Sequence, residues 1–204
     1  MLADTEVDVR KAVVESMCQT LSAGYLISAD KILTHIVPCI QAMYVEAAPN
    51  FKESLATGVC EIIASLGKER AVPELMSMVA ELMKDENSGV RVNVAEGLKK
   101  VALSVGPSVM DAQIVQSLKE LKGGNNWRVR LAVYDLLGEL GKTFGRSAFS
   151  EELEEMFVDF MADNAKLVRE TGIAKCVDIA KVFGPHWITE VIVSKAVSVF
   201  EEEK

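Results

Sequence analysis

The chain has 204 residues, of which 50% are hydrophobic, 6% aromatic and 25% charged, and its formal net charge is −8. This apolar content suffices for a buried core and excludes a disordered chain. The acidic balance and the lack of a basic stripe argue against nucleic-acid binding, because proteins neutralise phosphates with clustered Lys and Arg.

Helical periodicity of apolar residues predicts helices along the whole chain, and no Val, Ile or Thr run of period two predicts a strand. The first helix is predicted at about 6–22. Five helices that we call A helices are predicted at roughly 30–46, 72–84, 111–122, 151–162 and 187–201. Pro38 should bend the first of them, and Pro73 suits a first helical turn.

The remaining helices, the first one included, are called B helices, and they carry a repeat. A basic residue recurs near the start of each B helix, and the last four are spaced 39 residues apart: Arg10, Lys52, Arg91, Arg130 and Arg169. An apolar residue precedes each of them: Val9, Phe51, Val90, Val129 and Val168. Several columns in one register are typical of a repeat array.

Two further columns give this repeat a physical meaning. The residue six positions before the basic one is acidic in four of five units: Asp4, Glu46, Asp85, Gly124 and Asp163. It should meet the start of a B helix and pair with a basic side chain of its own or a neighbouring unit. A glycine follows the basic residue by fifteen positions in the last four units, where it should cap the helix in the left-handed helical conformation: Gly67, Gly106, Gly145 and Gly184.

These units predict an all-α fold, an α-solenoid of antiparallel helix pairs that forms a single domain over 1–204. Its predicted parts are a half repeat with helix B only, four repeats, and a half repeat with helix A only: 1–24, 25–67, 68–106, 107–145, 146–184 and 185–204. A half repeat leaves its apolar face uncovered, so we expect a fragment of a longer array.

The cysteines and histidines predict neither catalysis nor a metal. None of the four cysteines forms a C-x-x-C pair, and all lie in apolar helical runs, where buried free thiols are expected: Cys18, Cys39, Cys60 and Cys176. His35 and His186 belong to no ligand set, and His35 beside Cys39 is interpreted as an exposed histidine next to a buried thiol. We expect no cofactor and no enzyme activity.

The same features bear on location. No uncharged stretch reaches the length of a membrane span, and charges between Asp4 and Arg10 interrupt any signal sequence. Cysteines without a disulfide pattern fit a reducing compartment. We therefore expect a cytoplasmic protein, also possible in the nucleus, with no membrane contact.

Trp127 is one of two tryptophans, and other units place no tryptophan at its position. It either anchors its helix on the next turn or forms a hot spot for a protein partner, since Trp and Arg are enriched in such spots. Both interpretations stay open. Trp187, which follows Gly184-Pro185-His186, is interpreted as a local staple over the turn between repeats.

The repeat unit resembles the HEAT repeat and, within that family, the scaffold (A, 65 kDa regulatory) subunits of protein phosphatase 2A. The resemblance is carried by the 39-residue period and by the runs Ile36-Val37-Pro38-Cys39-Ile40, Trp127-Arg128-Val129-Arg130-Leu131-Ala132, Val168-Arg169-Glu170 and Phe183-Gly184-Pro185-His186-Trp187. It covers almost the whole chain.

The resemblance implies a non-enzymatic scaffold whose turns between A and B helices bind a phosphatase catalytic subunit and a regulatory B-type subunit. It places Trp127, Arg128 and, one period after Trp127, Lys166 in the contact with the catalytic subunit. The turn before Trp127 departs from the family, because it reads Gly-Gly-Asn-Asn where the family has charged residues including a lysine. Lys52 also replaces an arginine of the family.

Two other classes are weaker alternatives. A HEAT adaptor that wraps cargo, in the manner of a transport receptor, would need acidic or aromatic residues along the B helices, and Tyr134 and Asp135 are too few. A HEAT-like enzyme acting on DNA bases would need a basic groove. By itself the chain is expected to be a monomer.

Overall fold

The computed structural model describes residues 4–22, 28–67 and 73–202. Every regular element within these ranges is helical, so the all-α class predicted from the sequence is confirmed for them. The chain divides into two compact units, unit 1 (Met1–Ser117) and unit 2 (Leu118–Lys204).

Unit 1 consists of three long B helices with the A helices that precede two of them. Its elements are α1 (Val7–Ser22), α2 (Ala29–Lys31), a π-helical segment (Ile32–Ile36), α3 (Val37–Glu46), α4 (Pro49–Leu66), α5 (Pro73–Leu82), α6 (Ser88–Val105), a 3-10 turn (Pro107–Val109) and the first part of α7 (Ala112–Gly123). Helix α4 packs against α1 on one side and α6 on the other.

Unit 2 repeats this arrangement around two long B helices. It holds the end of α7, then α8 (Trp127–Phe144), a 3-10 turn (Arg146–Ala148), α9 (Glu151–Val158), a 3-10 turn (Asp159–Ala162), α10 (Lys166–Phe183), α11 (Pro185–Trp187), a π-helical segment (Ile188–Val193) and α12 (Ser194–Glu202). Helix α10 packs against α8 and against the 3-10 turn that follows α9.

The helix boundaries follow the residues that begin and end helices. Asn87 and Asn126 precede α6 and α8, and their side chains accept the amide hydrogens of Gly89 (2.8 Å) and Arg128 (3.0 Å). Ser150 caps α9 through the amide of Leu153. These bonds satisfy amides of the first turn that have no partner within the helix.

The four glycines predicted to end B helices do so at positive φ: Gly67 (68°), Gly106 (99°), Gly145 (74°) and Gly184 (88°). Their ψ angles lie near 180°, so the expected left-handed helical conformation is wrong in detail. Positive φ with extended ψ is a region that glycine alone occupies without strain, which explains glycine in this column.

A bend was predicted at Pro38; the structure has a π-helical segment, Ile32–Ile36, just before α3, which contains this proline. Proline has no amide hydrogen for the carbonyl four residues earlier, and here that carbonyl belongs to Thr34, inside the segment. Pro73 begins α5, as expected for a residue suited to the first turn.

The cores of both units are built from the predicted apolar stripes. In unit 1, Phe51, Leu55 and Val59 are at most 1% exposed. In unit 2, Phe160 lies directly against Gly172, where an added Cβ would be 2.1 Å from the ring. That position must therefore be glycine for α10 to approach the A helix this closely.

Two expectations about the cysteines need correction. Cys60 is buried as expected, but Cys39 and Cys176 are only half-buried, and Cys176 lines an open apolar groove along α10. Burial still raises the pKa of the Cys176 thiol. The side chain of Cys18 lies outside the described residues.

Candidate functional site

The turn that precedes α8 places Trp127 and Arg128 at the molecular surface. Asn126 caps the helix, so Trp127 is its first residue. Trp127 is half-buried and Arg128 is exposed, and the Arg128 guanidinium carbon lies 4.6 Å from the centre of the indole ring. A cation over the face of an aromatic ring is attracted by its negative potential, so the two side chains pack against each other.

The turn that precedes α10 is built around an aspartate. The Asp163 carboxylate accepts the amide hydrogen of Ala165 at 2.8 Å, and the Asp163 carbonyl accepts a bond from Arg169. Lys166 is the first residue of α10, with a side chain that is 80% exposed and 3.3 Å from Glu170. Lys166 is therefore held by the helix start, while its charge stays in solvent.

Arg130 joins these two turns. Its Nη1 donates to the carbonyl of Gly124 at 2.8 Å, in the turn before α8. Its Nε and Nη2 donate to the two carboxylate oxygens of Asp163 at 2.6 and 2.9 Å, and Nη2 also reaches Asn164 Oδ1 at 2.8 Å. One planar guanidinium thus fixes one turn against the next, using the forked geometry that lysine lacks.

The electrostatics of this link depend on burial. The Arg130 and Asp163 side chains are only 10% and 4% exposed. Burial alone would raise the pKa of the Asp163 carboxyl, but the bonds from Arg130 and from the Ala165 amide outweigh it and hold that pKa below its ordinary value. The bond to Asp163 raises the pKa of Arg130. Both groups are therefore charged at neutral pH.

Beneath the link, aromatic side chains fill the space between α8 and the end of α9. Tyr134 is 2% exposed and meets Phe160 edge to face, with ring centres 6.5 Å apart. Burial, followed by the charges of Asp159 and Asp163, raises the pKa of the Tyr134 phenol. Tyr134, one of the two residues judged too few for a cargo-binding surface, is thus part of the core.

The sequence predicted Trp127, Arg128 and Lys166 as site residues, and the structure places them at the starts of two adjacent, packed helices. It predicted a basic residue paired with the acid of a neighbouring unit, and Arg130–Asp163 and Lys52–Asp85 are such pairs. It missed Asn164, because only one other unit, at Asn125, holds asparagine in that column. It also missed Leu167, which is 48% exposed beside Lys166.

The acidic column differs from its expected role in one respect. Asp85 and Asp163 do not bond amides within the helix, because they accept the amide of the residue that precedes it, Asn87 or Ala165. The aspartate therefore fixes the shape of the turn and still accepts the basic side chain of the helix before, through its second oxygen in Asp85 and through both oxygens in Asp163.

Trp187 is fully buried, and its ring meets Phe183 edge to face with centres 5.1 Å apart. This position is consistent with a local staple over the turn. Its indole nitrogen is buried without a hydrogen-bond partner among the described residues.

The histidines and acidic groups form no second site in the same ranges. Among the described residues, no three His, Cys, Asp or Glu side chains are grouped as metal ligands. His35 is exposed, and His186 lies 2.9 Å from Glu190. No helix within 4–22, 28–67 or 73–202 combines the length and the apolar character that a membrane span needs.

No family model matches the chain, and no curated protein matches it. A function for the two turns of unit 2 therefore has to be inferred from their own residues. What those residues present is a surface of mixed aromatic and basic character on a fixed backbone.

Proposed function

We propose that this chain is a non-catalytic scaffold of the HEAT type, with an α-solenoid architecture, that binds protein partners through the turns between its helices. The main support is the set of hydrogen bonds from the Arg130 guanidinium. They hold the turn beside Trp127 and the turn beside Lys166 in fixed positions. A rigid surface loses little entropy when it binds, which favours recognition of a folded protein.

The chemistry of the surface suits a protein partner. The Trp127–Arg128 pair offers a flat aromatic face with a positive charge, and these are residue types that dominate binding energy at protein interfaces. Leu167 adds exposed apolar area one helix further on, next to the solvated charge of Lys166. A partner with an acidic rim around an apolar centre would complement this arrangement.

The partner we propose is the catalytic subunit of a protein phosphatase, with a regulatory B-type subunit bound elsewhere on the scaffold. This choice comes from the resemblance of the runs around Trp127 and Arg169 to phosphatase 2A scaffold subunits. The fixed turns support it because they give the resembling residues a surface position.

Binding of the full chain to a purified phosphatase catalytic subunit tests the proposal. Trp127→Ala should weaken binding by about 2–4 kcal/mol, roughly 30- to 1000-fold. Arg128→Glu should have an effect of the same direction, whereas Lys166→Glu should cost about 0.5–1 kcal/mol because its charge stays solvated.

Two substitutions serve as controls. Phe200→Ala removes a 72% exposed aromatic ring outside the turns, and Lys142→Glu reverses a 48% exposed charge on α8. Both should bind as the wild type does. If Trp127→Ala and wild type bound with equal affinity, with helicity unchanged by circular dichroism, the assignment of the site would be wrong. Capture of transport cargo instead of a phosphatase would favour the adaptor alternative.

A further inference from the structure

A polar cavity of about 370 Å³ lies at the turns of unit 1, whereas the surface around Trp127 belongs to unit 2. The ends of α3 and α5 and the turns before α4 and α6 form its walls. Clefts that hold ligands start at roughly 300 Å³, so this one has room for a single long side chain. The ionisable groups around it decide which chemistry could enter.

The charge balance of the cavity favours a cation. Five charged side chains line it, three acidic and two basic: Glu81, Asp85, Glu86, Lys52 and Lys84. Lys52 is already bound to Asp85 at 3.1 Å. The other three are exposed, and neither Glu81 nor Glu86 forms a salt bridge with another described residue. Two carboxylates against one ammonium group repel an anion and attract a cation.

Unit 2 supplies its own cation at the position of Glu81. That position, 29 residues after the basic residue of the repeat, holds Asp159 in unit 2, where Lys122 binds it. The residue of unit 1 that corresponds to Lys122 is Tyr44, eight residues before the basic one. Burial, followed by the charge of Asp85, raises the pKa of Tyr44, so the phenol is neutral at pH 7. A neutral ring therefore stands in unit 1 where unit 2 has a cation.

The second difference is at the basic residue itself. The Nη2 of Arg130 reaches Asn164, 34 residues further along the chain, at 2.8 Å. The residue 34 positions after Lys52 is Glu86, but the ammonium group of Lys52 bonds to Asp85 and not to Glu86. Unit 1 thus has an acid in place of the amide and no guanidinium to meet it, although a carboxylate binds a guanidinium more strongly than an amide oxygen does.

The form of the cation follows from the spacing of the acids. Among the described residues, no three His, Cys, Asp or Glu side chains are grouped closely enough to hold a metal ion. A guanidinium has five N–H donors in a planar fork and can bridge carboxylates that a small ion cannot. A lysine would bring only one charged atom. The cavity therefore suits an arginine side chain.

We propose that this cavity receives an arginine side chain of a protein partner, with the guanidinium between Glu81 and Glu86. A protein is the source because the cavity lies at turns between helices, and arginine is among the residue types enriched at protein interfaces. The site goes beyond the phosphatase contact proposed above and does not depend on it, because no residue of the unit 2 turns lines the cavity.

Titration of the full chain, labelled with nitrogen-15, with acetyl-arginine amide tests the chemistry. A fragment of this size should bind with a dissociation constant in the millimolar range. In proton–nitrogen NMR spectra the amide signals of 84–87 should shift and saturate, while those of 163–167 stay unchanged. Acetyl-citrulline amide has the same shape without the charge and should cause no shift, and acetyl-lysine amide should bind at least about threefold more weakly.

Two results of this titration would overturn the proposal. One is the absence of a saturating shift at 84–87 at concentrations well above the millimolar range. The other is a response to either control compound that equals the response to the arginine compound, because the cavity would then not select a guanidinium.

Substitutions of the lining residues test the binding mode. Glu81→Gln and Glu86→Gln should each weaken binding of acetyl-arginine amide by about threefold or more, and Lys84→Gln should strengthen it, because a like charge is removed. Glu96→Gln, at an exposed carboxylate of α6 outside the cavity, is the matched control and should bind as the wild type does. Unchanged affinity in both cavity variants, with unchanged circular dichroism, would place the compound elsewhere and overturn the proposal.

Lys52→Arg should close the site from inside. The new guanidinium would lie beside Asp85 and Glu86, as that of Arg130 lies beside its own acceptors, so binding of acetyl-arginine amide should weaken at least about tenfold. A variant that binds the compound as tightly as the wild type would show that the cavity is not the site.

A last comparison separates a protein-borne arginine from the free amino acid. An acetylated and amidated peptide with one arginine between glycines should bind more tightly than free arginine, because the α-carboxylate of the amino acid would meet Glu81 and Glu86. Tighter binding of free arginine would identify a small-molecule site and overturn the assignment to a protein partner.

Discussion

The two units use the same position of the repeat for the same purpose but with different side chains. In unit 1, Lys52 makes a single bond of 3.1 Å to Asp85, and its side chain is 28% exposed. In unit 2, Arg130 reaches four acceptors on two turns and is 10% exposed. Both pairs join a helix to the turn before the next B helix. Of the two basic residues, only Arg130 also bonds to the turn before its own helix.

The surroundings of Lys52 are also more open to solvent than those of Arg130. Lys52 lies 5.1 Å from the centre of the Tyr44 ring, beside an open polar cavity of about 370 Å³. Arg130 lies above the packed rings of Tyr134 and Phe160. Removing the partner of a charge that stays near water costs little stability, whereas removing the partner of a buried charge leaves that charge uncompensated and costs much more.

Arg130→Met should have the largest effect. It leaves the buried Asp163 without its partner, which we expect to cost about 3–5 kcal/mol in the free energy of unfolding. Both tryptophans of the sequence lie in unit 2, so tryptophan fluorescence in a urea titration reports that unit. Arg146→Met, at a side chain 45% exposed and 3.5 Å from Glu154, is the matched control and should cost no more than about 1 kcal/mol. Equal losses for both variants would contradict the comparison.

Exchanging the two types of basic residue should test the comparison of the two pairs further, with smaller changes in the free energy of unfolding. Arg130→Lys loses the forked contact and should cost roughly 1–2 kcal/mol, whereas Lys52→Arg should gain at most about 1 kcal/mol, because Asp85 can accept a second bond. Urea midpoints by fluorescence for the first variant and by circular dichroism for the second measure these changes. If the Arg130→Lys variant were as stable as the wild type, the bonds to Gly124 and Asn164 would contribute nothing to stability.

Alkaline pH should weaken the Lys52–Asp85 pair but not the Arg130–Asp163 pair, and this is the smallest effect. The hydrogen bond to Asp85 raises the pKa of Lys52. Its stabilising contribution is therefore complete below the unfolded lysine pKa of about 10.4 and is lost as pH rises through the higher folded value. Arg130 stays charged over this range. Lys52→Arg should reduce the alkaline loss in unit 1 without abolishing it, because burial also raises the pKa of Tyr44; a loss of equal size in that variant would assign it to another group.

Much of the fold could be predicted because the repeat columns act locally. The basic residue, the aspartate before it and the glycine after it each fix a helix start, a turn or a helix end, and the structure has B helices at the predicted places. The sequence could not predict that Gly172 admits the Phe160 ring, because that contact depends on how closely two helices approach.

The residues of the candidate site could be predicted from the sequence, but the hydrogen bonds that hold its turns in place could not. A tryptophan and arginine at the start of a B helix stand out in the sequence, and so does the pairing of Arg130 with an acid one repeat later. The bonds from Arg130 to Gly124 and Asn164 could not be predicted, since a backbone carbonyl has no sequence signal and only one other unit, at Asn125, holds asparagine in the column of Asn164. The prediction of a continuous array of repeats over 1–204 stays a prediction.

Amide hydrogen exchange of the full chain, with and without a purified phosphatase catalytic subunit, tests the proposed role most directly. Addition of the partner should slow exchange in peptides that contain 124–128 and 163–167, and leave those of α1 and α4 unchanged. Two results would contradict the account. One is binding that protects other surfaces and not these two turns. The other is an absence of binding at concentrations well above the dissociation constant expected for an interface of standard size.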